Sequence, residues 1–531
     1  MPLNVSSYAL RKYLYRFFSP VQERTQGFAG GVNMRDAVNQ LAANECRRLE
    51  NMILDERGGA SKRLGCLNKG TFGASGDRIL SMATFARQQS PSVPPQIIIH
   101  TSAGSLLYTT DPNAATVTWT SIATGLSTTA PMSFAMYNNV LYFSNGVDAY
   151  ARWDGTTYTT YASAPKGAFL CPWKDAMWVS GVVGLPDRVY TSVAGDPTTF
   201  NVSGWVDILK GNGSAVTALG TDTIYLVVFK RRGHSVITDP VNLTNRVVDT
   251  VNGCESHFSV VQHLGLLFFI SRKGIARFYG DAPASILSDK IAPLFTPDIL
   301  NLNAMTTAYA YTVEDRVGWA VPETGQTRPT LQIEYAPLLA AAGGGAGPMY
   351  FHRMPARAFC TYRTGATERL FAGHNNANKM LQCFAAAGQD DGVTFNGLLE
   401  TKAFDFGVVP QTKYLRRVGV LGRGKFNILV KRNYETPVIG TDTIDLTTAT
   451  DTWSMADSWG AGTWGPGSII KGKAVNFDLY GRNYTLQFSD SESAVGSVPI
   501  PVGAIDYAVT TGEWGIYGAE LDGQMLGVRE G

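Results

Sequence analysis

The run Gly419-Val420-Leu421-Gly422-Arg423-Gly424-Lys425 has the Gly-x4-Gly-Lys spacing of a phosphate-binding loop. In such a loop glycine lets main-chain N–H groups close on phosphate, and the lysine reaches the terminal phosphates. Phe426 stands where that chemistry requires a serine or threonine hydroxyl for magnesium. The flanking stretches 414–421 and 426–431 read as two strands joined by a Gly-rich hairpin, so no helix is expected to aim its N-terminus at a phosphate. Nucleotide binding is not expected here.

Other chemistry is equally thin. The closest histidine pair, His257 and His263, lacks the i, i+4 helical spacing of a zinc site and has no cysteine pair beside it. No Gly-x-Ser-x-Gly elbow stands between a strand and a helix, which leaves a serine hydrolase unsupported. Asp154, Asp187, Asp281, Glu314 and Asp315 are scattered where turns are expected, the ordinary place for such residues. A glycosidase would need two carboxylates about 5–9.5 Å apart, and the Asp-box repeats of sialidases are absent. The expectation is a non-enzyme with no catalytic residue, no metal and no cofactor. Two basic groups remain: Lys230-Arg231-Arg232-Gly233-His234, and the set Lys413, Arg416, Arg417, Arg423, Lys425 and Lys431. Such groups are commonly solvated turns or strand faces.

The elements that would carry these residues are strands. At 531 residues the chain exceeds what one hydrophobic core serves, so two or three domains are expected. Charged residues make up only 17% of it, below the roughly 25% of an average soluble domain. With 56 glycines and many Thr, Val, Tyr and Phe, that balance favours a densely packed all-β protein with many turns. The net charge of +2 excludes a strongly basic nucleic-acid binder but leaves room for a weakly attractive surface. Six scattered cysteines without a Cys-x-x-Cys pair read as buried free thiols made in a reducing cytoplasm. No signal peptide is evident, and no run approaches the roughly 18–20 apolar residues of a membrane span.

From about residue 75 to 395 an apolar strand, a polar turn and an aromatic-bearing strand recur. The strongest occurrences lie at 105–109, 140–144, 177–180, 224–229, 266–271, 317–321 and 370–373. Their spacing of roughly 35–50 residues is that of a four-stranded propeller blade, so about seven blades are predicted over 71–395. Within this region 324–348 includes Leu338, Leu339, Gly343, Gly344 and Gly345, small and uncharged enough to form a projecting contact or gate loop. From 396 to 531 longer alternating strands (401–406, 414–421, 426–431, 474–479 and 484–488) predict a separate β-sandwich. The segment 453–465 between them places Trp453, Trp459 and Trp464 among small residues, suited to stacking or to packing on its own domain. Residues 1–70 are predicted to be a docking arm in which Tyr8, Tyr13, Tyr15, Phe17 and Phe18 interleave with Arg11, Lys12 and Arg16.

Within that arm, Phe28-Ala29-Gly30-Gly31-Val32-Asn33-Met34-Arg35-Asp36 leads through Cys46–Asp55 into Gly58-Gly59-Ala60-Ser61-Lys62-Arg63-Leu64-Gly65. Locally, Asn33 or Asp36 is expected to cap a short helix carrying Leu41, Cys46 and Leu49, which Gly58-Gly59 then breaks. The Gly-Gly-Val-Asn opening, the Glu50-Asn51 pair and the Lys-Arg-x-Gly ending together resemble the N-terminal segment of tail-nozzle (tail tubular protein B-like) proteins of short-tailed phages. They also resemble the related propeller-bearing packaged-DNA stabilisation proteins. The strand Gly481-Arg482-Asn483-Tyr484-Thr485-Leu486-Gln487-Phe488 echoes the end of the same proteins.

The resemblance implies a virion structural protein at the distal end of a phage tail, assembled in the host cytoplasm. It would form a homo-oligomeric ring, a hexamer, that docks on a portal or adaptor ring and receives fibre or tip proteins. Its lumen would hold double-stranded DNA without reading sequence. In that setting Arg231, Arg232, Arg423 and Lys425 become the candidate channel or docking residues, and Leu338–Leu339 with Gly343–Gly345 the candidate gate. The alternatives are a glycan-binding propeller that recognises a receptor, and a propeller glycoside hydrolase.

Overall fold

The computed structural model describes residues 18–25, 27–55, 58–87, 94–222, 224–280, 282–342, 347–386, 388–406, 412–433, 438–445, 471–490 and 515–526. The expected tryptophan loop 453–465, Gly343–Gly345, Asp281 and the aromatic positions from Tyr8 to Phe17 lie outside the described residues.

Seven antiparallel four-stranded sheets follow one another around a ring. Blade 1 comprises Ile79–Phe85, Gln96–Thr101, Leu106–Thr109 and Thr120–Ala123, and blade 2 comprises Ser133–Tyr137, Val140–Ser144, Tyr150–Trp153 and Tyr158–Tyr161. Blade 3 comprises Phe169–Trp173, Ala176–Val182, Leu185–Val193 and Asp196–Asp207, and blade 4 comprises Val216–Thr221, Leu226–Lys230, His234–Asp239 and Thr244–Asp249. Blade 5 runs from Val261–His263 through Leu266–Ser271 and Gly274–Phe278 to Ser285–Ile286. Blade 6 runs from Tyr309–Val313 through Arg316–Val321 and Leu331–Tyr335 to Met349–His352. Blade 7 takes Ala356–Thr364, Thr367–His374 and Lys379–Ala386 from one end of the region and Gly65–Thr71 from the other. The ring is thus closed by a strand that the expected boundary at residue 70 assigns to the arm.

The first strands line the axis and neighbouring ones touch, except between blades 4 and 5, where the short helix His257–Ser259 contacts Val216–Thr221. The second strand is covered on both faces by the flanking blades, which is why it reads as a continuous apolar run: Leu226–Lys230, Leu266–Ser271 and Arg316–Val321 are buried almost throughout. Between blades 1 and 2, for example, Phe85, Ile98 and Leu106 meet Leu141, Phe143 and Trp153. Each such side chain removed from water contributes about 1.5–3 kcal/mol, so the blades are stable as a stack rather than singly.

Two further sheets form the sandwich. One orders Met52–Leu54, Ala60–Lys62, Gly515–Leu526, Lys413–Arg423 and Lys471–Gly481, with Phe18–Arg24 also paired to Gly515–Leu526. The other orders Glu45–Glu50, Leu398–Phe404, Tyr484–Ser489, Lys425–Arg432 and Val438–Asp445, and joins blade 6 where Glu50 bridges Phe351. Leu415, Val418 and Phe477 from the first sheet pack with Phe426, Ile428 and Phe488 from the second in one core, which continues into Trp319 and Ile333 of blade 6.

Two local expectations are corrected. The stretch expected to be helical is strand Glu45–Glu50, and Asn33 closes a turn by accepting the N–H groups of Arg35 and Asp36 at 3.1 Å each. An alternative partner wins: Glu45–Glu50 finds Leu398–Phe404 across the sheet and buries Cys46 and Leu49 there. The pair Lys413–Arg423 and Lys425–Arg432 is not a hairpin. The chain turns at Gly424 (φ +79°) and crosses from one sheet to the other, and no helix follows.

All six cysteines are buried and unpaired. No helix among the described residues is long and apolar enough to cross a membrane.

Candidate functional site

In each blade, the turn between second and third strands and the crossover to the next blade lie on one face of the ring; the other two turns lie on the opposite face. The run 230–234 sits at the first kind of turn in blade 4, and its residues divide between inside and outside. Lys230 is fully buried, with Nζ 2.7 Å from Asp187 Oδ1 and donating to Leu209 O at 2.9 Å and Asn212 Oδ1 at 3.0 Å. That charge is spent on joining blade 3 to blade 4. His234 is buried against Phe229 and Phe278 and donates from Nδ1 to Asn252 O at 2.9 Å. Burial lowers its pKa and so favours the neutral ring. Arg231 and Arg232 are exposed. The turn they occupy needs Gly233, whose φ of +87° and approach to Asp249 O leave no room for a Cβ.

One blade on, the same turn carries Arg272 and Lys273, both exposed, followed by Gly274. The four cations border a cavity of about 890 Å³ between blades 4 and 5. Its remaining lining is Asn212, Gly213, Ser214, Ala215, Thr217, Thr250, Val251, Asn252, Gly253 and Ser271, with neither carboxylate nor aromatic ring among them. Glu255 lies beneath the rim, its carboxylate 3.2 Å from Arg231 Nε and its side chain almost fully enclosed. Burial raises its carboxyl above the usual range, and Arg231 and Arg272 oppose that shift.

Thr217 also lines a second cavity, of about 420 Å³, at the ring axis. Leu80, Pro131, Phe169, Glu255, His257, Tyr309 and Arg357 bring all of the blades to it. His257 is half-buried; its Nδ1 accepts the Leu219 N–H at 3.4 Å, so Nε2 donates to Ser133 Oγ at 2.9 Å. Desolvation pushes its pKa down to about 4. Phe258 stacks on Tyr309 with ring centroids 4.9 Å apart, and the Tyr309 hydroxyl crosses to Leu80 O. Side chains thus cross the axis of a single propeller beside this cavity, His257 to Ser133 and Tyr309 to Leu80.

The other expected site residues lie elsewhere. Lys425 is exposed at the sandwich corner and does not border the cavity of Arg231 and Arg232; Arg423 lies on the strand before it. Of that cluster, Lys413 is buried and donates to Arg482 O at 2.8 Å, and Lys431 pairs with Glu400 at 3.2 Å. Leu338 is exposed and Leu339 half-buried in the short helix Pro337–Ala342, on the ring face opposite Arg231. Asp154 closes a turn by accepting the N–H groups of Thr156 and Thr157, Asp187 holds Lys230, and Glu314 pairs with Arg316. Among the described residues no three His, Cys, Asp or Glu side chains gather as metal ligands do. Arg272 and Lys273 were missed by sequence reasoning, although superposing the repeats would have found them: Lys230-Arg231-Arg232-Gly233 and Ser271-Arg272-Lys273-Gly274 occupy the same turn of consecutive blades.

The resembling segment 27–67 forms the junction of propeller and sandwich. Asn51, at φ +55°, accepts from Arg63 Nε at 3.1 Å and Arg353 N at 2.9 Å and donates to Asn396 O at 2.8 Å. Glu50 pairs with Arg353 at 2.9 Å, and Lys62 with Asp490 at 2.5 Å, both of whose side chains are enclosed. Gly30 and Gly31 sit where a Cβ would lie 2.7 Å from Glu45 Cγ and from Pro348 Cβ respectively.

No protein-family model and no curated protein matches this chain. Solved structures similar to it include the WD40 propeller domain of Doa1 (TM-score 0.36, 8% identity, 60% of this chain and 97% of that one). Another is YCF48 bound to D1 peptide (TM-score 0.36, 10% identity, 63% and 97%). Raptor from Chaetomium thermophilum is a third (TM-score 0.39, 13% identity), and the match covers 62% of this chain but 29% of that one. The fold class defined by the strand pairing is a β-propeller joined to a β-sandwich.

Proposed function

We propose that this protein is a structural subunit of a short-tailed phage virion, a ring-forming nozzle or hub that extends the DNA conduit and retains packaged DNA until ejection. The observation that carries the reading is the place of the resembling segment. Of its distinctive residues, Gly31, Glu50, Asn51 and Arg63 tie the sandwich to blades 6 and 7, while Gly30, Asn33 and Lys62 brace the segment and the sandwich from within. The resemblance therefore follows residues with a structural task rather than composition.

Since side chains cross the propeller axis, a DNA lumen would form between subunits, with their basic turns facing it. Sequence-independent attraction through phosphates suits a wall past which DNA must slide. A hexameric ring, a portal-side neighbour and a fibre or tip partner belong to the same proposal. The glycan-binding alternative calls for aromatic rings in the pocket, and the cavity between blades 4 and 5 has none. Negative-stain microscopy of the purified protein, and of the virion that contains it, tests the reading. A ring at the distal tail is the expected image; monomers, or a position away from the DNA path, would overturn it.

A further inference from the structure

We propose that the cavity between blades 4 and 5 is a binding site for phosphate groups, one that engages phosphate without recognising a base or a sugar. This deepens the nozzle reading, from which the choice of DNA as one probe comes.

Three observations support it. First, Arg231, Arg232, Arg272 and Lys273 converge from equivalent turns of two consecutive blades on one cavity of about 890 Å³, whose lining includes no carboxylate. Four cations held together on a chain of net charge +2 form a local potential that the whole protein does not have. Second, the lining also includes the amide of Asn212 and the hydroxyl of Thr250, groups able to donate to phosphate oxygens alongside guanidinium groups, whereas Ser214 and Asn252 donate within the protein, to Ala215 O and Asp249 Oδ2. Third, aromatic rings are missing from the lining, so a nucleobase or a pyranose has no surface to stack on. The Arg231 turn is held in place from below: its N–H donates to Ser214 Oγ at 3.2 Å, and Lys230 is anchored by Asp187. The cations are therefore presented by a braced turn. Arg231 keeps Glu255 as an internal counter-charge, which leaves Arg232 and Lys273 as the groups most available to a ligand.

The test uses the full-length protein, with inorganic pyrophosphate and a short DNA duplex as probes. Calorimetric titration should show pyrophosphate binding, and R232S/K273S should weaken it by about tenfold or more, the loss of two charge-assisted contacts. Its melting temperature without ligand should be unchanged. Pyrophosphate should displace the duplex, and the variant should reduce the slope of log affinity against log salt by about 2. Pyrophosphate binding that is absent, or equal in the folded variant, overturns the proposal. Binding of pyrophosphate without duplex leaves the phosphate site standing and removes DNA contact from the nozzle reading. Duplex binding unaffected by both pyrophosphate and the substitutions does the reverse.

Discussion

Arg63 and Asp390 meet as a two-pronged ion pair, Nη1 to Oδ1 at 2.9 Å and Nη2 to Oδ2 at 2.6 Å, with the guanidinium 3.8 Å above the Phe395 ring. The Arg63 side chain is entirely enclosed. The pair joins the end of the resembling segment to the chain that has just left blade 7, and Asp390 Oδ1 also accepts the Cys66 N–H at 2.8 Å at the start of the closing strand.

Removing one partner should therefore cost more than removing both. Asp390→Ala leaves a buried guanidinium unpaired, and a loss of about 3–5 kcal/mol is expected. R63M/D390L should be less destabilised than either single truncation. Urea unfolding of the three variants checks this, and a double variant as unstable as the sum of the singles would refute it.

Gly31 should tolerate no side chain. Its φ of +70° strains any other residue, and a new Cβ would lie 2.7 Å from Pro348 Cβ and 2.8 Å from Met349 N. Gly31→Ala should lose more than the roughly 1–3 kcal/mol of backbone strain alone. Gly76, at φ +91° with nothing within 4 Å of its Cβ position, is the control and should lose only the strain. Equal melting temperatures for the two variants would contradict the close approach.

Truncation should separate the two parts of the N-terminal segment. Deleting residues 1–25 removes a strand that, among the described residues, pairs with Gly515–Leu526 alone, and the propeller should remain intact by near-ultraviolet circular dichroism. Deleting 1–72 removes Gly65–Thr71 and leaves blade 7 with three strands, so the ring should open and become sensitive to protease. A protease-resistant product from the longer deletion would show that closure is dispensable.

Acid should weaken the propeller before it reaches the carboxylates. His100 is buried and His257 half-buried, and desolvation pushes the pKa of each down to about 4. The unfolded chain binds protons near pH 6.5 and the native one only near 4, so their stabilisation is fully present above about 6.5 and is lost as pH falls through this window. Glu255, whose neutral form burial favours, acts in the opposite sense. Melting temperature should fall from pH 7 to 4.5, and H100Q/H257Q should show a shallower slope. Parallel curves would exclude these histidines.

The sequence by itself determined the all-β class and the recurrence of the blades, because burial leaves a period. Six of the seven apolar runs used to count blades are second strands, buried on both faces and therefore continuous; in blade 1 the third strand was found in place of Gln96–Thr101. Tertiary structure alone decided which distant segments meet. Nothing local in Gly65–Thr71 says that it completes a blade with Lys379–Ala386, or in Glu45–Glu50 that it prefers a strand partner to a helix. Nor does the linear run Lys230–His234 show that Lys230 and His234 face inward while Arg231 and Arg232 join Arg272 and Lys273. Periodicity reports whether a side chain is covered. It does not report by what, since ring closure and cavity lining depend on contacts between residues far apart along the chain, each chosen by the free energy of the whole packed assembly.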